Sequence, residues 1–163
     1  MPGLSRFSSW PKPEYVIHQT FRAPLRFVYD WCTDFTPSDA KWEGEKYERR
    51  ILTRDPNRIV YEDVEWEGNG WFWARTDVRL RPPGRWQMES VGNRRLSRAE
   101  YALRTTRDGR TVLELRLRRK PSLVPAKKLS KRAREASVSR AWKNFARALE
   151  SDYRRTLARR HRR

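Results

Sequence analysis

The last forty residues, from about Pro125 to Arg163, limit most severely what this chain can fold into. Apolar residues recur there at helical spacing. Leu129, Ala133, Ala136, Ala141, Phe145, Leu149, Tyr153 and Leu157 keep to steps of three, four or five. Trp142 widens the stripe at its middle, and Lys131, Arg132, Lys143, Arg147, Arg154, Arg155 and Arg159 fill the remaining surface. Pro121 and Pro125 break the preceding strand and mark the helix start. An amphipathic helix of this length needs a concave surface to bury its stripe. Everything before it reads as strands, so the expected architecture is a curved sheet wrapped around the helix.

At 163 residues the chain suits one domain with a real core, expected over residues 14–157. Eight Trp, six Tyr and six Phe supply large buried areas from few positions. The net charge of +18 is unevenly spread: 24 basic residues face 17 acidic ones over 1–120, but 14 face 3 over 121–163. Such a basic helix face suits RNA, a ribosome or an anionic membrane surface, or is simply a solvated face. Cys32 is the only cysteine, which excludes an internal disulfide and fits a reducing, cytoplasmic setting. No apolar run approaches a transmembrane segment. Residues 1–13 are expected to form a loose arm and 158–163 a basic tail.

Residues 14–22 alternate Tyr15, Ile17, Gln19 and Phe21 against Val16, His18 and Thr20, the pattern of a strand. Ala23-Pro24 stops it, and a short helix is expected over 25–35 with Phe27, Val28, Trp31, Cys32 and Phe35 on one side. Thr36 or Ser38 can cap a second short helix running to about Trp42. Six strands then follow, over 46–54, 58–67, 71–81, 85–91, 94–106 and 111–119, joined by short turns such as Gly68-Asn69-Gly70. Short links imply antiparallel neighbours. The later strands have two distinct faces: Leu113, Leu115 and Leu117 oppose Glu114, Arg116 and Arg118, and Ala99, Tyr101 and Leu103 oppose Arg98, Glu100 and Arg104. Trp86 and Met88 join the dry face, with Ser90 out of character on it.

This order of elements resembles the helix-grip fold of the START-like superfamily, also called the SRPBCC group, which includes polyketide-cyclase-like and birch-pollen-allergen-like proteins. The local likeness is carried by residues 21–31, in which apolar Phe21, Ala23-Pro24 and the valine-aromatic pair Val28-Tyr29 are followed soon after by the acidic Asp34. The resemblance implies an α+β fold with a curved antiparallel sheet of about seven strands, two short helices after the first strand, and a long C-terminal helix across the sheet. It further implies an apolar cavity between sheet and helix. Fold alone leaves function open, because the superfamily spans lipid transfer, coenzyme Q binding, polyketide cyclisation, chaperone activation and ribosome association.

A strongly curved sheet and a straight helix cannot interdigitate along their whole length, so the gap is either plugged by large side chains or left as a pocket. Trp66, Trp86, Met88, Tyr101, Leu103, Leu115, Trp142 and Phe145 are the residues expected to line or fill it. Polar candidates are Glu62 and His18. Glu62 faces inward if Val60, Val64 and Trp66 do, and faces water if Ile59 and Tyr61 take the inner side. With two histidines and one cysteine no metal spacing is present, no Gly-rich phosphate loop occurs, and neither metal nor cofactor is expected. Cys32 reads as a small buried hydrophobe. Three functions compete: a carrier or sensor for a small hydrophobic ligand such as a lipid, isoprenoid or polycyclic aromatic; an RNA- or ribosome-associated module; and a cyclase-type enzyme. No residue set in the sequence requires the enzyme.

Overall fold

The computed structural model describes residues 10–43, 45–66, 68, 70–93, 96–120 and 130–160. Seven strands form one antiparallel sheet: β1 (Tyr15–Phe21), β2 (Glu48–Asp55), β3 (Arg58–Trp66), β4 (Trp71–Arg81), β5 (Arg85–Gly92), β6 (Leu96–Thr105) and β7 (Thr111–Arg119). Their spatial order is β1-β7-β6-β5-β4-β3-β2. From β2 to β7 each strand pairs with the next in sequence, as the short turns require. β1 instead closes on β7, with Ile17 opposite Leu115. Two short helices, α1 (Leu25–Cys32) and α2 (Asp39–Glu43), fill the crossover from β1 to β2, and α3 (Lys131–Arg160) lies across the sheet. This is the helix-grip fold.

Local chemistry explains the boundaries. Pro24, extended at ψ 151, starts α1, where its missing N–H costs nothing. The helix stops at Cys32, three residues earlier than the periodicity suggests. The Thr33 hydroxyl turns back to the Tyr29 carbonyl at 2.7 Å, and Phe35 adopts φ 44, a left-handed conformation incompatible with a continuing helix. Phe35 is held there by stacking on Tyr61 at 5.8 Å. Residues 36–38 form a turn, in which the Thr36 hydroxyl donates to Asp39 at 2.9 Å. Ser130 caps α3, its Oγ accepting from the Ala133 N–H at 3.1 Å.

The inner sheet face carries Phe21, Ile59, Tyr61, Ala74, Val78, Trp86 and Leu113, all buried, as are Ala146 and Leu149 of α3. Ser90 does belong on this face: it is buried and its hydroxyl meets that of Thr76 across β4 and β5 at 2.8 Å, so the polar intrusion is paired. The helical stripe is shifted from the one read in the sequence. Val138, Trp142, Ala146, Leu149 and Tyr153 pack on the core, whereas Ala133 and Ala136 are exposed. Alanine offers little area to bury, so the larger side chains set the helix rotation. Ala158–Arg160 continue the helix instead of belonging to the tail. Leu129, the two prolines of 121–129, residues 1–9, Asn69 of the Gly68–Gly70 turn and residues 161–163 lie outside the described residues. None of the described helices is long and apolar enough to cross a membrane.

Candidate functional site

Between helix and sheet a gap survives. A pocket of about 80 Å³ is lined by Trp31 and Cys32 of α1, by Asp34, Phe35 and Asp39 before and within α2, and by Arg49 and Tyr61 of β2 and β3. Trp86, Met88 and Tyr101 of β5 and β6, with Trp142 and Phe145 of α3, complete it. That space takes several waters; pockets that enclose a drug-sized ligand run to roughly 300–1,000 Å³. The aromatics therefore line the gap and fill most of it.

The aromatic wall is a connected set. Trp86 and Tyr101 are cross-strand partners and lie nearly parallel, 4.6 Å apart at 6°. Trp142 tilts against Tyr101 at 5.9 Å and against Phe145 at 5.2 Å, and Trp31 meets Phe145 edge-on at 5.9 Å. The Trp31 indole N–H donates to Asp152 of α3 at 3.0 Å, which fixes the ring's orientation. That bond, with Arg155 in support, holds the Asp152 carboxyl below its usual range. Trp86 is buried, whereas Trp31, Tyr101, Trp142 and Phe145 are only half-buried.

The opposite end is polar. Arg49 is almost fully enclosed, its side chain 4% exposed, yet it keeps four hydrogen bonds. Its guanidinium donates through Nε and Nη2 to both oxygens of Asp63 at 2.8 and 3.0 Å, through Nη1 to Asp39 at 2.6 Å, and through Nη2 to the Tyr47 hydroxyl at 3.2 Å. It also stacks 3.9 Å from the centre of the Tyr61 ring. Burial disfavours the charge, but the hydrogen bonds to Asp63 outweigh it and the guanidinium stays firmly protonated. Among the described residues four of its five N–H groups are used, leaving one on Nη1.

Asp34 stands at the pocket rim. Although Asp34 is an exposed residue, desolvation of its carboxyl and the negative charge of Asp39 push it up to about 6, with Arg54 and Arg49 opposing. Arg54 fixes the backbone beneath it by donating to the Asp34 and Phe35 carbonyls at 2.7 and 3.2 Å. Asp39, also raised by burial against the pull of Arg49, is committed to Arg49 and Thr36. Burial raises the Cys32 thiol far above its ordinary value, and the Asp34 and Asp39 charges add to that; a thiol kept neutral is a packing group, not a nucleophile. No cluster of His, Cys, Asp and Glu suited to a metal ion occurs among the described residues.

Of the residues expected at the cavity from sequence, Trp86, Met88, Tyr101, Trp142 and Phe145 meet there. Leu115 is buried in a neighbouring cluster with Tyr15, Ile17 and Ala99, and Leu103 packs at the edge of the main core. Trp66 is on the other side of the sheet and 57% exposed. Glu62 is there too, accepting from Arg75 at 2.8 Å. His18 is likewise outside, 3.4 Å from Glu114. The β3 register with Ile59 and Tyr61 inward is the one adopted, because Asp63 on that face answers buried Arg49. Sequence reasoning missed Arg49, Asp39, Tyr61 and Trp31 as site residues. The available signal was an arginine in phase with Ile51 on an otherwise polar strand, together with a carboxylate on the Ile59 and Tyr61 face of the next.

No family model matches the chain, and no curated protein matches it. Solved structures do. The chain is similar to the Zhui aromatase/cyclase from Streptomyces sp. R1128, with a TM-score of 0.63 at 16% identity over 88% of this chain and 94% of that one. It is similar to the protein TTHA0849 from Thermus thermophilus, with a TM-score of 0.64 at 16% identity over 87% and 99%. Ara h 8.0201 matches with a TM-score of 0.64 at 9% identity over 84% and 97%.

Proposed function

We propose that this helix-grip protein is a carrier or sensor for a small, flat hydrophobic ligand held between the sheet and α3. The observation that carries the reading is the aromatic wall of Trp31, Trp86, Tyr101, Trp142 and Phe145 at the gap between helix and sheet. A planar polycyclic ligand gains most from such a wall, since ring stacking adds to area burial. The 80 Å³ now open is too little for it. Entry therefore requires the half-buried Trp142 and Phe145 to swing aside, and the ligand replaces their mutual contacts. A polar group on the ligand meets Asp34 and the remaining Nη1–H of Arg49.

The test is titration of detergent-stripped protein with 1-anilinonaphthalene-8-sulfonate and with an anthraquinone, read by ligand fluorescence and by tryptophan quenching. Saturable binding that Trp86→Ala weakens supports the reading. Absence of binding by both the native protein and a Trp142→Ala variant, whose pocket is larger, overturns it.

A second reading is a cyclase acting on a poly-carbonyl chain, favoured by one arrangement: a carboxyl with its pKa near 6 beside a fixed guanidinium at the same pocket end. Asp34 would remove a proton from a carbon between two carbonyls, and the carbanion would attack a third carbonyl polarised by Arg49. The new alkoxide would take the proton back before water is lost. A rate that falls as pH is lowered through about 6, and that Asp34→Asn abolishes while ligand affinity is retained, distinguishes catalyst from carrier.

A further inference from the structure

The outward face of α3 carries a line of cations that the rest of the fold does not answer. Over Lys131–Arg160 ten residues are basic and three acidic. Arg134 and Arg155 are spoken for, the first by Glu14 ahead of β1 and the second by Asp152 on the helix itself. At 3.6 residues per turn, Arg132, Arg140, Lys143, Arg147 and Arg154 fall within an arc of about 80°. All five are exposed. Among the described residues none of them has a carboxylate partner or a hydrogen bond.

Besides these cations the arc holds only Ala136, Ala158 and, at its core-side edge, Glu150. Glu150 is half-buried, and one of its carboxylate oxygens accepts from the Arg22 N–H at 2.8 Å. Glu135 is also half-buried and lies roughly 60° beyond the arc, towards the core. Among the described residues Glu14 is the one acid of another element that pairs with α3, and it meets Arg134, outside the arc. Five cations therefore stand against one acid. The line is also stiff, because the other side of the helix packs on the sheet through Val138, Trp142, Ala146, Leu149 and Tyr153.

We propose that this face of α3 docks on the phosphate backbones of a nucleic-acid duplex. Charge and shape select that occupant together. At 1.5 Å per residue, Arg132 and Arg154 are about 33 Å apart along the helix, and the other three cations lie about 12–23 Å from Arg132. A straight bar laid along a duplex crosses each backbone once per turn, and a turn of B-form duplex is about 34–36 Å. Arg132 and Arg154 then reach one strand a turn apart, while Arg140, Lys143 and Arg147 reach the other strand between them. Contacts of this kind go to phosphates, so they set position without reading sequence. A bilayer fits less well. Helices that lie on membranes bury an apolar face there, and the apolar face of α3 is committed to the sheet. A single strand calls for exposed aromatic platforms, whereas Trp142, Phe145 and Tyr153 are turned to the pocket and the core. The pocket lies on the other side of α3, so the inference is independent of what it holds.

The experiment is fluorescence anisotropy of the full chain with a labelled duplex of mixed sequence, between about 50 and 200 mM salt. If all five cations meet phosphates, affinity should fall with salt along a log–log slope of about −4.5. The variant R140Q/K143Q/R147Q should flatten that slope by about 2.7. Its far-ultraviolet spectrum should not change, since all three side chains are exposed. A control variant, R79Q/R85Q/R104Q, removes three exposed arginines of the outer sheet face that also have no acid partner among the described residues. It should leave the slope as it is. If the helix variant does not fold, R147Q alone serves, with an expected flattening of about 0.9. Duplex DNA and duplex RNA are run as separate arms, and the one bound more tightly identifies the source of the phosphates. No binding of either duplex by the native chain at low salt overturns the proposal. So does an equal loss in the control variant, which would reduce the effect to total charge. Partitioning onto vesicles of 3:1 phosphatidylcholine:phosphatidylglycerol that the helix variant abolishes, with duplexes ignored, also overturns it, as does tighter binding of a single strand than of either duplex.

Discussion

Removing the Asp63 carboxylate should be among the most damaging single changes in this protein. Asp63→Ala takes away two of the four hydrogen bonds of Arg49, whose side chain and that of Asp63 are 4% and 6% exposed. Breaking a buried ion pair from one side costs about 3–5 kcal/mol, because the surviving charge is left desolvated and uncompensated. Asp39, Tyr47 and the Tyr61 ring still hold the guanidinium, which places the loss near the lower figure, about 3 kcal/mol. For a chain of this size that is roughly a 6–12 °C fall in melting temperature. The diagnostic measurement is a double-mutant cycle in urea with Arg49→Met and Asp63→Leu, read from transition midpoints at constant slope. Since an apolar pair of similar volume replaces an ion pair at little cost, the double variant should be at least about 2 kcal/mol more stable than the two single losses summed. Asp39 is left without its arginine in both Arg49 variants and so cancels from the comparison. A cost below about 1 kcal/mol for Asp63→Ala, or single effects that simply add, would refute the claim that a buried charge pair organises this end of the pocket.

Three further outcomes are expected. Trp142→Ala should lower stability by about 3 kcal/mol, less than for a fully enclosed tryptophan, while increasing binding of 1-anilinonaphthalene-8-sulfonate; stability lost with no gain in dye binding would mean that the site collapses when emptied. The Asp34 carboxyl titrates at about 6 in the folded chain, above its ordinary 3.8, so between those values the folded state holds a proton that the unfolded state has released. Stability should therefore fall as pH rises from about 4 to 6 and lose no more to this group above that. Asp34→Asn should remove this component of the slope in urea titrations at several pH values, and an unaltered slope would show the carboxyl to be ordinary. Cys32 should resist iodoacetamide at pH 8 in the native protein and react once urea unfolds it; rapid labelling of folded protein would contradict its neutral, partly buried state.

The architecture was legible in the sequence because it rests on periodicity and punctuation. Strand alternation in residues 15–21 and 111–119, turn residues between short strands, and a helical stripe through Trp142, Leu149 and Tyr153 each report a local rule that tertiary packing did not override. What alternation cannot supply is the sign of a strand whose two faces are both mixed. In β3, Val60, Glu62, Val64 and Trp66 look even more apolar than Ile59, Tyr61, Asp63 and Glu65. The choice was made by partners distant in the chain: Arg49, Phe35 and the core under α3 take the second set, sending Trp66 and Glu62 outside. The polar end of the pocket has the same origin. Asp34, Asp39, Arg49 and Asp63 follow no sequence spacing that a motif would show, and they converge because the β1–β2 crossover folds back over the β2–β3 rung where Arg49 faces Asp63. Helical and strand periods are properties of neighbours along the chain, and they were readable. Which charge is buried against which, and how much room the aromatics leave, depend on distances across the fold, so only the tertiary structure decided them.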